Sequence, residues 1–216
     1  MALVKCVAPL LNQELSHVLI KTADDKQTLA KSVLGRFPCL ETPTGTTISG
    51  GLSIVRCLAR EHETFYGSSA ENSKFKRLSN VLWIAARIDM WIDHVTALVL
   101  PATNKLLSIL KNEQDPAWKE ERLMGIATKE FREALEPLKV HLKLRNFLEG
   151  YNMTFADIWL AVVSSQILLN EKAMKDKKEG GIFDKKSAAA FEDLVRFSQI
   201  IFGLINVNPA DFINSV

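Results

Sequence analysis

One short segment, from Met153 to Ile158, carries two complementary signals for the start of a helix. The Thr154 hydroxyl is spaced to accept a hydrogen bond from the free backbone N–H of Asp157, and the Asp157 carboxylate can reach back to the N–H of Thr154. Met153, just before this capping box, can pack on Ile158 in the first turn. The residues that follow are nearly all apolar, so we predict a buried helix around which the core forms.

The composition limits the class of protein. The chain has 216 residues, 47% of them hydrophobic, which is enough for one large core or two smaller ones. A net charge of +2 is too balanced to indicate a nucleic-acid surface or an acidic substrate. The sequence opens with no basic and apolar leader, and no apolar run reaches the length of about 20 residues that a membrane span needs. We therefore expect a cytoplasmic protein.

The three cysteines indicate neither a disulfide framework nor a metal site. Cys6, Cys39 and Cys57 are odd in number, lie far apart, and lack the short Cys or His spacings of metal ligands. We predict reduced thiols, as is usual in the cytosol.

The first sixty residues alternate between strand and helix signals. A strand at the start of the chain is followed by a helix from Pro9, and two short strands at 38–41 and 46–49 flank a turn that contains Pro and Gly. The glycine pair 50–51 then opens another helix. This order is typical of a small thioredoxin-like α/β domain, shortened here because few residues separate the first helix from the hairpin.

Beyond this region the strand signals stop and long helical patterns begin. The polar stretch 61–69 forms a natural linker, so we predict an α/β domain over 1–65 and an all-helical domain over 70–216. Pro101 lies in the first long helical pattern and should bend or interrupt it, and Pro137 should kink a later helix.

Three segments resemble a known family. The pattern Arg-x-Phe-Leu-x-Gly-x-x-x-Thr-x-Ala-Asp-Ile at 145–158 is similar to the segment that leads into the core helix of glutathione transferase-like proteins. Residues 35–41 resemble the strand that carries the family's cis-proline, here Pro38, and residues 52–60 resemble the helix after it. Because the segments follow the family's order over most of the chain, the resemblance implies a glutathione transferase-like fold.

The resemblance also implies a glutathione site, and its key side chains are missing here. Active members place Tyr, Ser or Cys at the first strand's end or the first helix's start, where the helix N-terminus favours a thiolate. In this chain Ala8 fills the slot before proline, and Cys6 lies two residues earlier, where a buried strand thiol is the favoured interpretation. The Glu or Gln and Ser pair that binds the γ-glutamyl carboxylate corresponds to Gly50 and Gly51.

We therefore predict a degenerate glutathione pocket with no bound cofactor. An active enzyme is left open, and a non-catalytic protein is favoured. The residues of the degenerate pocket are Cys6, Phe37, Pro38, Gly50 and Gly51.

The acidic groups on the first long helix are a weak metal candidate. Asp89 and Asp93 share one helix face and His94 follows, but a metal site needs more converging ligands than these. An ion pair that involves Arg87 is the favoured interpretation, and we predict no metal.

Two further groups are expected to be structural. The lysines of 172–186 alternate with acidic residues, so we predict a solvated loop rather than an RNA contact. Trp83, Trp91 and Trp159 lie on apolar helical stretches and are predicted to be core residues.

The helical half carries a narrower resemblance. Residues 65–69, 91–94, 99–103 and 144–148, followed by the capping box, are similar in order to the N-terminal domains of translation elongation factor 1 gamma subunits. The resemblance implies a non-catalytic scaffold that holds the nucleotide-exchange subunit of that complex.

Two alternatives stay open. Glutathione transferase-like domains of aminoacyl-tRNA synthetases and their assembly cofactors frequently lack the pair that is Gly50 and Gly51 here, and they link end to end through helix faces. An active or ligand-binding glutathione transferase is the second alternative. The first two resemblances imply protein partners from the translation apparatus and a homodimer or hetero-oligomer, with no membrane or direct nucleic-acid contact.

Arg145 is the interface residue that we expect, because its planar guanidinium can bind a carboxylate through two hydrogen bonds. A structural role, in which Arg145 caps its own helix or pairs with Asp157, is the competing interpretation.

Overall fold

The computed structural model describes residues 39–41, 45–61, 78–111, 121–174, 182–183 and 188–210. The chain divides into two compact units, Met1–Phe75 and Lys76–Val216. Several predicted elements lie outside the described residues. They are the first strand, the helix from Pro9, most of the linker and most of the lysine-rich loop. Three of the predicted pocket residues, which are Cys6, Phe37 and Pro38, also lie outside the described residues.

The described part of the first unit is a hairpin followed by a helix. Strand β1 (Cys39–Glu41) pairs antiparallel with β2 (Thr47–Ser49), and helix α1 (Gly51–Glu61) follows directly. Gly45, in the connection, has a φ of +79°, a left-handed conformation that glycine adopts at little cost. The predicted hairpin and helix are therefore present, as a shortened thioredoxin-like domain requires.

In the described part of the second unit, every regular element longer than one residue is a helix. Its helices are α2 (Leu78–His94), α3 (Leu100–Lys111), α4 (Glu121–Leu142), α5 (Phe155–Leu168), α6 (Glu171–Met174) and α7 (Glu192–Leu204). Helix α5 is buried along almost its whole length and packs against α2, α3 and α7. The nearly continuous apolar sequence of α5 therefore forms the centre of the core, as its pattern predicts. None of the described helices is long and apolar enough to cross a membrane.

The first long helical stretch continues through Pro101 instead of ending there. A π-helical segment, Val95–Val99, joins α2 to α3, and the Leu100 N–H bonds to the carbonyl of Val95, five residues earlier. Proline has no N–H to donate and its ring crowds the preceding turn, so the wider π turn accommodates it without breaking the helix. Pro137 likewise lies inside α4, which runs on to Leu142.

Three phenylalanines pack together where residues 183 and 191 meet α4. The ring centroids of Phe131, Phe183 and Phe191 lie 5.3 to 6.2 Å apart, and all three side chains are buried. Tilted and edge-on ring pairs at these distances add to the stability that their burial provides. They fix residues 182–183 and the start of α7 onto the bundle.

Candidate functional site

The first predicted site residues lie at the corner between β2 and α1. Gly50 has a φ of +95°, and its carbonyl accepts a hydrogen bond of 3.0 Å from the Ile54 N–H. A Cβ built on Gly50 would meet only the Ser53 hydroxyl, at 3.8 Å, so backbone conformation rather than space calls for glycine here. With Gly51 as the first residue of α1, the corner offers backbone groups and no side chain at these two positions.

The predicted capping residues lie at the start of α5. Thr154 is the N-cap, with extended backbone angles, and both halves of the reciprocal box with Asp157 are present. The Asp157 Oδ2 accepts hydrogen bonds from the Thr154 N–H at 2.8 Å and from the Thr154 hydroxyl at 2.7 Å. Ile158 is fully buried and Met153 half-buried, and their contact with each other stays a prediction.

The second oxygen of the same carboxylate reaches outside the box. Asp157 Oδ1 accepts a hydrogen bond of 2.7 Å from the Leu148 N–H, and His141 Nε2 lies 2.8 Å from the Leu148 carbonyl, to which it donates. Two side chains therefore hold both backbone polar groups of Leu148. No residue pattern could predict these bonds, because the groups held are backbone groups that every residue except proline has.

Burial raises the pKa of Asp157 from 3.8 to about 6. Desolvation is the largest cause, and the hydrogen bonds from Leu148 and Thr154 lower the pKa against it. With a pKa of about 6 the group is mainly a carboxylate at neutral pH, the form that accepts all of these bonds.

The predicted ion pair that involves Arg87 is present, and it holds the same region from α2. Arg87 Nη2 lies 2.6 Å from one oxygen of Glu149, and Arg87 Nε donates to the other at 2.9 Å. The Glu149 side chain is only 7% exposed. The fold thus brings a residue 62 positions away onto the guanidinium.

His94 also has a structural contact. Its Nε2 lies 2.9 Å from the Ala134 carbonyl on α4, so the ring joins two helices. Over the part of the chain that the structure describes, no three His, Cys, Asp or Glu side chains are close enough together to hold a metal ion.

We call residues 143–153 the capping loop, because they lead from α4 into the capped helix α5. Leu148 and Glu149 anchor the loop in the protein, whereas Leu144 and Tyr151 are 93% and 97% exposed. Arg145 is also exposed, and its backbone N–H bonds to the Leu142 carbonyl at 3.3 Å. Its guanidinium makes no hydrogen bond or ion pair with any residue the structure describes. The alternative pairing with Asp157 is not observed.

The architecture is similar to that of solved glutathione transferases. A poplar glutathione transferase superposes with a TM-score of 0.67 at 15% identity, over 99% of this chain and 91% of that one. Glutathione transferase BmGSTD1 from Bombyx mori gives 0.67 at 18% identity, over 98% and 86% of the two chains. Na-GST-3, a monomeric glutathione S-transferase of the hookworm Necator americanus, gives 0.60 at 19%, over 94% and 85%.

The chain has the glutathione transferase fold. No protein-family model matches its sequence, and no curated protein does either. At identities below 20% the likeness establishes the fold alone.

Of the three tryptophans that were predicted to be core residues, two are half-buried and contact residues of other elements, and one is exposed. The Trp159 indole N–H donates to the Thr96 hydroxyl at 2.9 Å, and Trp91 lies with its ring centroid 4.6 Å from that of His141. Trp83 is 70% exposed, so the prediction that it is a core residue is wrong. From Val81 to Ala86 every residue of α2 is apolar, and such a sequence does not reveal which of its faces the bundle covers.

Proposed function

We propose that this chain is a non-catalytic protein–protein interaction module of the translation machinery, a scaffold of the elongation factor 1 complex of the gamma-subunit type. The observation that carries the proposal is the corner at Gly50 and Gly51. A glutathione transferase fold with two glycines at the positions of the carboxylate-binding pair keeps only backbone N–H groups for that ligand. The positive φ of Gly50 also disfavours the return of a side chain there.

The capping loop supplies the surface that such a module needs. It is fixed by the bonds of Asp157 and His141 to Leu148, and by the pair between Arg87 and Glu149. A surface that is already ordered loses little conformational entropy when it binds. The exposed residues of the loop include Tyr151 and Arg145, and tyrosine and arginine are among the residue types that contribute most to binding energy at protein interfaces.

The expected partner of this surface carries an acidic group beside an apolar anchor. The exposed charges of the capping loop, Lys143 and Arg145, are both positive, and its acidic residue, Glu149, is buried against Arg87. Arg145 would bind a partner carboxylate through two hydrogen bonds, while Leu144 and Tyr151 would pack around that pair.

Two other functions have specific support. A synthetase-associated assembly domain would use the same capping loop, and it fits the glycine pair equally well. An active or ligand-binding glutathione transferase is supported by the superposed structures, which are glutathione transferases.

Affinity capture from a cytosolic extract, followed by mass spectrometry, tests the proposal. We expect the wild-type chain to recover elongation factor 1 subunits, and Arg145→Ala to recover clearly fewer. Arg196→Ala, which removes another exposed arginine on α7, is the matched control and should recover the wild-type set. Recovery of synthetases would favour the assembly-domain function. Enrichment of neither class, or equal recovery by all three proteins, would contradict a translation scaffold that docks through the capping loop.

A glutathione titration separates the enzyme from the scaffold. We expect no heat of binding in calorimetry at micromolar concentrations and no conjugation of a general electrophile. If the chain binds glutathione and shows turnover that Cys6→Ala abolishes, the protein is an enzyme and the scaffold function is contradicted.

A further inference from the structure

The capping loop has only two buried residues, and they are adjacent. Leu148 and Glu149 are buried, whereas every other residue of the loop is half-buried or exposed. We call these two residues the loop anchor. Exposed stretches lie on both sides of the anchor, at 143–146 and 150–152, so the attachment of the loop to the bundle depends on this short segment.

Side chains from three helices hold the loop anchor. The Leu148 N–H donates to Asp157 of α5 at 2.7 Å, and the Leu148 carbonyl accepts from His141 of α4 at 2.8 Å. The Glu149 carboxylate binds Arg87 of α2, with distances of 2.6 and 2.9 Å to its two oxygens. All of these bonds are made by ionisable side chains.

The backbone of the loop adds little to this attachment. Within residues 146–153 no backbone group bonds to the backbone of another described residue. A segment with few backbone bonds and few buried residues opens at a lower free-energy cost than the whole fold. Release of the loop anchor therefore frees this segment, while α4 and α5 keep the backbone bonds of their own helices.

The closed loop has a place for a proton on Asp157. The Thr154 hydroxyl lies 2.7 Å from Oδ2 and can accept a hydrogen bond from a protonated carboxyl group instead of donating one. Oδ1 still accepts the bond from the Leu148 N–H in that form. Burial raises the pKa of Asp157 to about 6, which shows that the closed loop favours this proton.

We propose that the capping loop opens locally by releasing the loop anchor while the helical bundle stays folded, and that this opening is linked to loss of the proton on Asp157. The Leu148 N–H bonds directly to the carboxylate, so release of the anchor lets water reach it. A hydrated carboxylate ionises without the cost of burial. The loop is therefore held most firmly in mildly acidic solution and opens more often as the pH approaches neutrality.

The linkage regulates how much of the docking surface is ordered. Leu144, Arg145 and Tyr151 lie on the exposed stretches that flank the loop anchor, so they lose their fixed positions when the anchor is released. This consequence for a partner rests on the proposed function. The opening itself does not, because it is a property of the chain alone.

The other groups around the anchor do not supply this linkage. His141 donates its Nε2–H to Leu148 in both the neutral and the charged ring, and Arg87 stays charged at every pH of interest. His94 of α2 is bound to α4. The causes of the raised pKa of Asp157 are burial and hydrogen bonds, with no charged side chain among them. On the other helices packed against α5, the described polar side chains that are buried are the hydroxyls of Thr103 and Ser198.

Hydrogen exchange of the Leu148 amide, followed by NMR on the purified full chain at pH 5 and pH 7, tests the proposal. Each rate is divided by the rate of an unstructured chain at the same pH, which gives the opening constant. We expect this constant to rise about tenfold from pH 5 to pH 7, as follows from a pKa of about 6 in the closed loop and 3.8 in the open one. The Val162 amide, inside α5, should exchange more slowly at both pH values because it opens only with the bundle.

Two variants identify the group that is responsible. Asp157→Asn keeps an acceptor oxygen and does not titrate, so the opening constant should change less than about twofold between the two pH values. His141→Phe keeps a ring beside Trp91 but removes the bond to Leu148, so the loop should open more often at both pH values with the same tenfold ratio. Cooperative thermal melting would show that each variant folds.

The outcomes separate the proposal from the translation function. A ratio that survives Asp157→Asn, or that disappears in His141→Phe, would overturn the linkage to Asp157. Exchange of the Leu148 amide as slow as that of Val162 would overturn local opening. No partner takes part in these measurements, so an unsuccessful capture experiment would contradict the proposed function alone.

Discussion

The backbone N–H of Leu148 donates a hydrogen bond of 2.7 Å to the carboxylate of Asp157, nine residues later in the chain. The same carboxylate caps α5 through Thr154, so one buried group fixes both the start of the core helix and the loop before it. The capping box and the capping loop are therefore a single structural unit.

This shared carboxylate predicts unequal costs for the two capping residues. Thr154→Ala should lower the free energy of unfolding by about 0.5 to 2 kcal/mol, the usual range for an N-cap. Asp157→Ala should cost more, about 2 to 4 kcal/mol, because it also leaves the buried Leu148 N–H without its acceptor. Urea unfolding measures both changes. The double variant should cost less than the sum of the two single losses, because both variants remove the same bonds between Thr154 and the Asp157 Oδ2. Strictly additive losses would mean that the box contributes nothing as a unit.

The pH dependence of stability should reveal the raised pKa of Asp157. The folded state binds this proton more tightly than the unfolded state, with a pKa of about 6 against 3.8. The stabilisation of the folded state by this tighter proton binding is therefore fully present below pH 3.8, and it is lost as the pH rises through about 6. About two pKa units correspond to roughly 3 kcal/mol.

The measurement compares the wild type with Asp157→Asn, whose side chain does not titrate. The unfolding free energy of the wild type, minus that of the variant, should fall between pH 4 and pH 6 and then level off. A difference that stays constant with pH would contradict the burial-driven shift.

The ion pair on α2 should contribute more to stability than a comparable surface pair. Arg87→Ala leaves the 7% exposed Glu149 carboxylate without its partner, which should cost about 1 to 3 kcal/mol. Lys105→Ala is the control, because its pair with Glu130 has the similar distance of 2.8 Å but side chains that are 41% and 46% exposed. The control should cost less than about 1 kcal/mol in chemical denaturation. Equal costs would mean that the burial of Glu149 is not what strengthens its pair.

The conformation of Gly50 predicts the effect of a side chain at the corner. Gly50→Ala should lower the free energy of unfolding by about 1 to 2 kcal/mol, because its φ of +95° is strained for any residue with a Cβ. Gly203→Ala, inside α7 with open space around the new methyl group, should instead be neutral or stabilise by up to about 1 kcal/mol. Thermal unfolding of both variants provides the comparison. A Gly50→Ala variant as stable as the wild type would mean that the corner relaxes to a negative φ.

The features that the sequence alone determined are local or periodic. Thr154 and Asp157 are three residues apart, and the turn between them brings their groups together whatever else the fold does. The apolar run after them predicted the buried helix α5, and turn residues predicted the hairpin before α1. Together with the motif resemblance, these signals were enough for the glutathione transferase fold.

Tertiary structure decided which distant groups meet and which faces stay exposed. Arg87 pairs with Glu149, 62 residues later in the chain, and the Asp157 carboxylate binds the backbone of Leu148. Trp83 lies in an apolar stretch yet is 70% exposed. Sequence patterns encode the spacing of residues along one element, whereas these contacts depend on how elements pack, and packing follows from the shape and burial of the whole bundle.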